Sequence, residues 1–521
     1  MEPLFDEQKG HTEPFEKAAR TLRIIIPVLA VVTLVFGTFG YMRADGDISF
    51  WRALHATVAL LLMETTEDAG TANALIWIAK YAALGAVTAT VLSVVLILAW
   101  WRIRTWIMSW REDFTVIYTD TAWGRRLEQT MPHHACTARC DADEDNIIPA
   151  KHSIIMYADD MKALNFYSRN RARFRNRNVY MALARVDSFL LEKTPDAEHV
   201  ALHYFNVLDL AARNYWRKHS LYDLLGTPRK PEPVHIAIIG YGAEGKAIFK
   251  YGYLNNLYSL NQEIHYHIWG CAGAEKSFLN GLNQDAKRML DYIHAHDGDW
   301  RETVGPLRTM NRIIVALENP IDAIQELLHI NPRCEIHCYS GEDTDFATIF
   351  KSGKIRTFGV NDVLNGEAIK AEEMYRMAKL INFDYWLHHT DEGKAFYPWN
   401  MNKYPPELDA GEEAKMEELW QSADGFDRGS NIAAADHYSI KKLLKEKYGE
   451  YNREICELEH IRWCRYHFYN CWEWYEGEGA TKKNKELKLH RCLCPFDKLD
   501  PEDQKKDEVS DRFKGMLDKL S

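Results

Sequence analysis

Two apolar runs near the N-terminus restrict what this chain can fold into more than any other feature. From Leu22 to Met42 it reads LRIIIPVLAVVTLVFGTFGYM, and from Leu75 to Trp101 it reads LIWIAKYAALGAVTATVLSVVLILAWW. Each exceeds the ~20 apolar residues an α-helix needs to cross a ~30 Å hydrocarbon core. The first does not read as a secretory leader, because the segment 1–21 before it is acid-rich and no small-residue cleavage site follows. Trp100 and Trp101, followed by Arg102 and Arg104, give the second run an interfacial aromatic and basic end. Lys17, Arg20 and Arg23 flank the first run, and Arg102, Arg104, Arg111, Arg125 and Arg126 follow the second. The connector 43–74 has only Arg43 and Arg52 against Asp45, Asp47, Glu64, Glu67 and Asp68. The positive-inside rule therefore predicts a multi-pass protein of the inner (plasma) membrane with both termini cytoplasmic. The ten cysteines lie between Cys136 and Cys494 in no disulfide pattern, as in a reducing compartment.

The membrane part is a minority of the chain. Mean hydropathy is −0.38, and 521 residues suggest about three domains. A net charge of −11 argues against nucleic-acid binding, which needs clustered positive charge.

From about Phe114 onward, β-rich apolar runs alternate with amphipathic helical runs, the pattern of α/β units on a parallel sheet. The clearest unit is VHIAIIGYGAEGKAIFKYGYLNN from Val234, a buried strand running into a glycine turn and then a helix. Gly240, Tyr241, Gly242, Ala243, Glu244 and Gly245 form the candidate nucleotide-binding turn. The first glycine permits the tight turn, the second lets backbone approach a pyrophosphate, and the third brings helix onto strand. Further strands are predicted at 263–270, 312–319, 334–340 and 354–359. The ribose-binding acid expected after the second strand is replaced by Trp269, Gly270 and Cys271. Two readings stay open: a site for NAD or another adenine nucleotide, and a vestigial Rossmann-like domain kept for assembly.

The pattern also repeats. FTVIYTDTAWGRRLEQ (114–129) aligns on VHIAIIGYGAEGKAIF (234–249), with Gly124 matching Gly245 and Thr119 and Thr121 replacing Gly240 and Gly242. Strands follow at 151–160 (the second), 178–187 (the third) and from 199, joined to the later copy by GTPRKPEP (226–233). The domains expected are a cytoplasmic segment 1–21, a transmembrane domain 22–104, a degenerate Rossmann-like domain 114–228, a Rossmann-like domain 232–390 and a module at 425–521. Two spans followed by tandem dinucleotide folds over 102–390 resemble the potassium-channel and transporter regulators with TrkA-N or RCK domains. That resemblance implies a homotetrameric ring whose ligand opens or closes a pore.

The C-terminal stretch resembles the RyR domain, the repeat of ryanodine receptors. The matching residues are Glu459-His460 with Trp463, the aromatic Trp474, a basic hairpin, Leu493, Pro495, Leu499 and Lys506-Asp507. This resemblance implies a small, mostly helical ligand-sensing module with no catalytic role. Helical spacing puts His460, Trp463 and His467 on one face. His460, Trp463, Arg465, Trp474, Arg428 and Asn431 are the candidate ligand residues, and the alternative is that the tryptophans are core.

No Walker A loop, H-E-x-x-H or kinase signature occurs, so an enzyme is not expected. His133, His134, Cys136 and Cys140 read as a mobile loop, and no metal ligands are assigned. Between the spans, Ile48 to Met63 is 16 residues, ~24 Å of helix and a suitable pore helix. Glu64, Thr65, Thr66, Glu67 and Asp68 would then line the pore, favouring cations without the potassium signature T-V-G-Y-G. The expectation is a cation channel with α-helical membrane spans, gated by a nucleotide or a nucleotide-derived messenger. Its alternative is a membrane-anchored nucleotide sensor with no pore, of the kind that suits stress or phage defence.

Overall fold

The computed structural model describes residues 13–44, 46–62, 73–111, 113–131, 135–138, 147–186, 200–227, 230–341, 344–396, 407–449, 452–476, 482–507 and 511–521. The five pore candidates Glu64, Thr65, Thr66, Glu67 and Asp68 lie outside these residues. The chain divides into two units, after Phe114.

The first unit is three helices, α1 (Glu13–Ala44), α2 (Phe50–Leu61) and α3 (Ala74–Met108). Ile25–Ala44 and Ala74–Val94 are long and apolar enough to cross a membrane. Small residues let the helices approach. A Cβ on Gly37 would lie 2.4 Å from Thr57 Cγ2, and one on Gly40 would lie 2.8 Å from Ile76 Cγ1. Tyr41, Ala53, Leu60, Ile76, Ala79 and Ala83 make the common core. The Asn73 amide caps the helix turn by donating to the Gly40 carbonyl at 3.1 Å. Val28, Val31, Phe39, Trp51, Leu84 and Val91 stay exposed, so the unit covers little of its own apolar surface. Such a surface needs lipid or other copies to cover it.

The second unit holds two parallel sheets. In the first, β1 (Thr115–Thr119) leads into α4 (Ala122–Thr130), and β2 (Ala135–Ala138), β3 (His152–Met156), α5 (Asp160–Asn170), β4 (Asn178–Leu183), β5 (Ala201–Asn206) and α6 (Val207–Lys218) follow. The strand order is β2-β1-β3-β4-β5. The run read as a mobile loop thus contributes an edge strand: Ala135 to Ala138 pair in parallel with Thr115 to Tyr118. The strand at 152 is the third, on the opposite side of β1. Four short residues without apolar alternation hid β2; backbone pairing with β1 creates it.

The second sheet contains β6 (Val234–Ile239), α7 (Ala243–Asn255), β7 (Ile264–Trp269), α8 (Gly273–Leu282), β8 (Tyr292–Ala295), β9 (Arg312–Val315), α9 (Ile321–Ile330), β10 (Glu335–Ser340) and β11 (Ile355–Gly359). Its order, β8-β7-β6-β9-β10-β11, is that of the doubly wound dinucleotide fold. The strand β8 is absent from the sequence reading, which makes 312–319 the fourth strand.

α6 leaves the first sheet and seats on the second. Trp216 Nε1 donates to the Ile248 carbonyl at 2.8 Å, and Tyr215 lies 4.2 Å from the Phe358 ring. One core runs from Ile117 and Ile154 through Tyr215 to Ile236 and Cys464. A mostly helical module follows: α10 (Arg376–His389), α11 (Ala410–Ser422), α12 (Gly425–Tyr448), α13 (Arg453–Tyr469), a three-stranded sheet of two-residue strands and α14 (Asp511–Leu520).

Candidate functional site

The glycine turn takes the shape its spacing predicts, and each glycine serves a different purpose. Gly240 sits at φ +97°, and a Cβ there would come 2.3 Å from the Ala316 carbonyl oxygen. A Cβ on Gly245 would meet the Gly240 carbonyl oxygen at 2.0 Å, so strand and helix touch there. Gly242 is the N-cap of α7, with φ −68° and no side-chain cap. A Cβ on Gly242 would meet only Glu244 Oε2, at 3.2 Å. Packing therefore demands the first and third glycines, while the second leaves space on the cleft side. Uncapped amides at the start of a 13-residue helix suit an anion, although Glu244 stands beside them.

The first sheet's equivalent turn is plugged. Thr119 Oγ1 accepts from the Thr121 backbone N–H at 3.0 Å and meets Thr121 Oγ1 at 3.0 Å. A Cβ on Gly124 would lie 2.2 Å from Thr119 Cγ2, so Gly124 persists to accommodate the threonine.

Between the sheets, at the carboxyl ends of both sets of strands, lies a cavity of about 930 Å³. The first domain lines it with Trp123, Ala158, Ala184, Arg185, Asn206 and Asp209; the second with Gly242 to Glu244, Lys246, Lys250, Ala316 to Glu318, Tyr339, Ser340 and Gly341. Tyr469 of α13 completes it. Strand ends at a switch in strand order are where open α/β sheets bind ligands. Trp123 Nε1 donates to the Gly341 carbonyl at 2.7 Å and ties the two walls.

On the β7 side of the turn, where dinucleotide folds keep a ribose carboxylate, stand Trp269, Gly270 at φ +89° and Cys271. Tyr469 meets the Phe278 ring at 5.4 Å. Cys271 is half-buried, and burial followed by Glu275 pushes its thiol up to about 11. NAD in its usual pose lacks its ribose partner here, and the open space runs toward β9, β10 and the first domain.

Charged contacts of α6 lead from this cavity to α7 and on to the helical module. Asp209 accepts from Tyr251 Oη at 2.7 Å and pairs with Lys250 Nζ at 3.4 Å. One turn on, Arg213 grips Asp436 of α12 through two bonds of 2.7 and 2.9 Å.

The six candidate residues of the helical module do not converge on one site. Arg465 is fully buried. It donates to Asp291 Oδ2 at 2.7 Å and to the Tyr253 carbonyl at 2.6 Å, fastening α13 to the second sheet. His460 holds the Cys494 carbonyl at 2.8 Å. The shared helix face does form, with Trp463 5.7 Å from His460 and 3.9 Å from His467. Arg428 donates to the Ala423 carbonyl at 2.9 Å, and Asn431 to Asn382 Oδ1 at 3.1 Å. Trp474 is 50% exposed. A smaller cavity of about 290 Å³ uses its neighbour Trp472 instead, with Phe426, Tyr466, Lys485 and Lys488. Glu459 is buried. Desolvation opposes its charge, but Arg462, Lys441 and His437 overcome this and hold the carboxyl well below its usual range.

No family model matches the chain, and no curated protein matches it. Among solved structures it is similar to GsuK bound to ADP, at 13% identity and a TM-score of 0.34, over 68% of this chain and 100% of that one. It is also similar to the GsuK channel, at 12% identity and a TM-score of 0.35, over 70% of this chain and 86% of that one.

Proposed function

We propose that the protein is a ligand-gated cation channel of the membrane, assembled as a homotetramer, whose cytoplasmic α/β domains sense an anionic nucleotide. The observation that carries this reading is the 930 Å³ cavity between the two sheets. It presents an uncapped helix start at Gly242, with Lys246 and Lys250 one and two turns along. Tyr241, Ala243, Glu244 and Gly245 shape the turn around it. Phosphate groups suit the amides and lysines, while Trp123 and Tyr339 offer faces for a base.

Sensing requires that the ligand prefer one arrangement over another. The cavity wall is formed by both domains, so a nucleotide that bridges them favours their close approach. Asp209 and Arg213 carry that preference to α12 through Asp436. In the membrane unit, α2 serves as the pore helix and the acids Glu64, Glu67 and Asp68 as the cation-attracting mouth. The RyR-like module takes a regulatory part.

The test is equilibrium binding of ADP to the full-length, detergent-solubilised protein, with mass spectrometry of co-purified small molecules. Saturable binding that weakens at least tenfold in Lys246→Ala/Lys250→Ala supports the proposal. Absence of any bound or co-purified nucleotide removes the nucleotide, and nucleotide binding without cation flux selects the pore-less sensor.

A further inference from the structure

Away from the residues that line the cavity, five histidines stand on one face of the second sheet, four on three neighbouring strands and one just past the end of β8. Val234, Ile236 and Ile238 of β6 point into the core shared with α7, while Ala237 and Ile239 point the other way. His235 shares the second face, as do His265 and His267 on β7. Register sets His235 opposite His265 and His267 opposite His294. The next residue on that face, His296, closes the row, its backbone N–H donating to the Ile268 carbonyl at 2.9 Å.

The imidazoles meet through their nitrogens. His235 Nδ1 lies 3.2 Å from His267 Nε2, and His267 Nδ1 lies 3.0 Å from His296 Nε2. His265 Nδ1 lies 2.9 Å from His294 Nε2, and its Nε2 lies 2.6 Å from Glu263 Oε1. One ligand atom each from His235, His265 and His267 falls within 4.8 Å of the others. Tetrahedral zinc with ~2.0–2.1 Å bonds to nitrogen sets ligand atoms about 3.4 Å apart, so small side-chain adjustments suffice. His235 and His265 are partly exposed, which leaves an entry path.

We propose that His235, His265 and His267 bind a divalent transition-metal ion of the zinc class. Three neutral nitrogen donors without thiolate or carboxylate select zinc, copper or nickel over calcium and magnesium. The ion replaces the hydrogen bond between His235 and His267. Ligation through Nε2 places the His267 proton on Nδ1, where it donates to His296 and fixes the ring. His265 gives up one of its two present partners to join, and water completes the shell. The ion ties β7 to β6, the strand that feeds the Gly240 turn.

The full-length protein, stripped with a chelator and titrated with Co²⁺, tests this. The expected result is one ion per chain with visible bands of tetrahedral geometry and no thiolate charge-transfer band. Zn²⁺ should displace it, and His267→Asn and His235→Asn should each weaken binding at least tenfold. Cys136→Ser/Cys140→Ser should leave binding unchanged. A thiolate band, absence of stoichiometric binding, or unchanged affinity in His267→Asn overturns the proposal. The spectrum of the unmutated protein decides the matter if a variant fails to fold.

Discussion

Gly242 and Gly245 stand three residues apart in one turn, yet alanine should affect them in opposite ways. At Gly245 the new Cβ would lie 2.0 Å from the Gly240 carbonyl oxygen. Neither strand nor helix yields easily, so a cost near the top of the overpacking range, ~3 kcal/mol, is expected. At Gly242 φ is −68° and the nearest protein atom is the movable tip of Glu244. Only the weaker N-cap preference of alanine is lost, ~0.5–1 kcal/mol. A phosphate approaching those amides, however, would lose a hydrogen bond to a charged group, ~1.5–3 kcal/mol, or about 10- to 150-fold in affinity. Denaturant unfolding and ADP titration on both variants read the two effects separately. If Gly242→Ala binds ADP within twofold of the parent, the turn does not hold the phosphates and the reasoning fails.

Three further outcomes follow from the same geometry. Arg465→Met leaves Asp291 buried without its cation and should cost ~3–5 kcal/mol in denaturant unfolding, largely recovered in Arg465→Met/Asp291→Leu. Burial, with Arg312 nearby, holds His337 down to about 2. Its stabilising effect is therefore fully present above the unfolded value of ~6.5 and is lost as pH falls below it, by ~2 kcal/mol at pH 5. His337→Gln should flatten the unfolding free energy between pH 7 and pH 5 by that amount. In reconstituted vesicles, Glu64→Gln/Glu67→Gln should lower the preference for cations over anions, and unchanged selectivity removes those acids from the pore.

Local features were legible in the sequence, and long-range ones were not. The Gly240 turn is a contiguous pattern between a strand and a helix, so its geometry follows from a dozen residues. The edge strands β2 and β8 are four residues each, rich in small or histidine residues, and are defined only by the strands beside them. Their absence from the sequence reading also concealed the histidine row, although H-x-H in both EIHYHIWG and YIHAH carries the period-two signal. Arg465 read as a ligand residue because its partner Asp291 lies 174 positions away. Trp472 and Trp474 stand two residues apart, and only packing against Phe426 places Trp472 at the smaller cavity while Trp474 stays half exposed. The cavity itself joins residues from Trp123 to Tyr469, a conjunction no single segment displays.

The central claim is that a nucleotide in the inter-sheet cavity controls cation passage through the membrane unit. Cation flux from liposomes holding the full-length protein, measured with and without ADP for the parent and Gly242→Ala, tests it most directly. The account predicts a nucleotide-dependent flux in the parent that Gly242→Ala abolishes or shifts to higher nucleotide concentration. A flux indifferent to every adenine nucleotide, or no flux from protein that binds one, contradicts it.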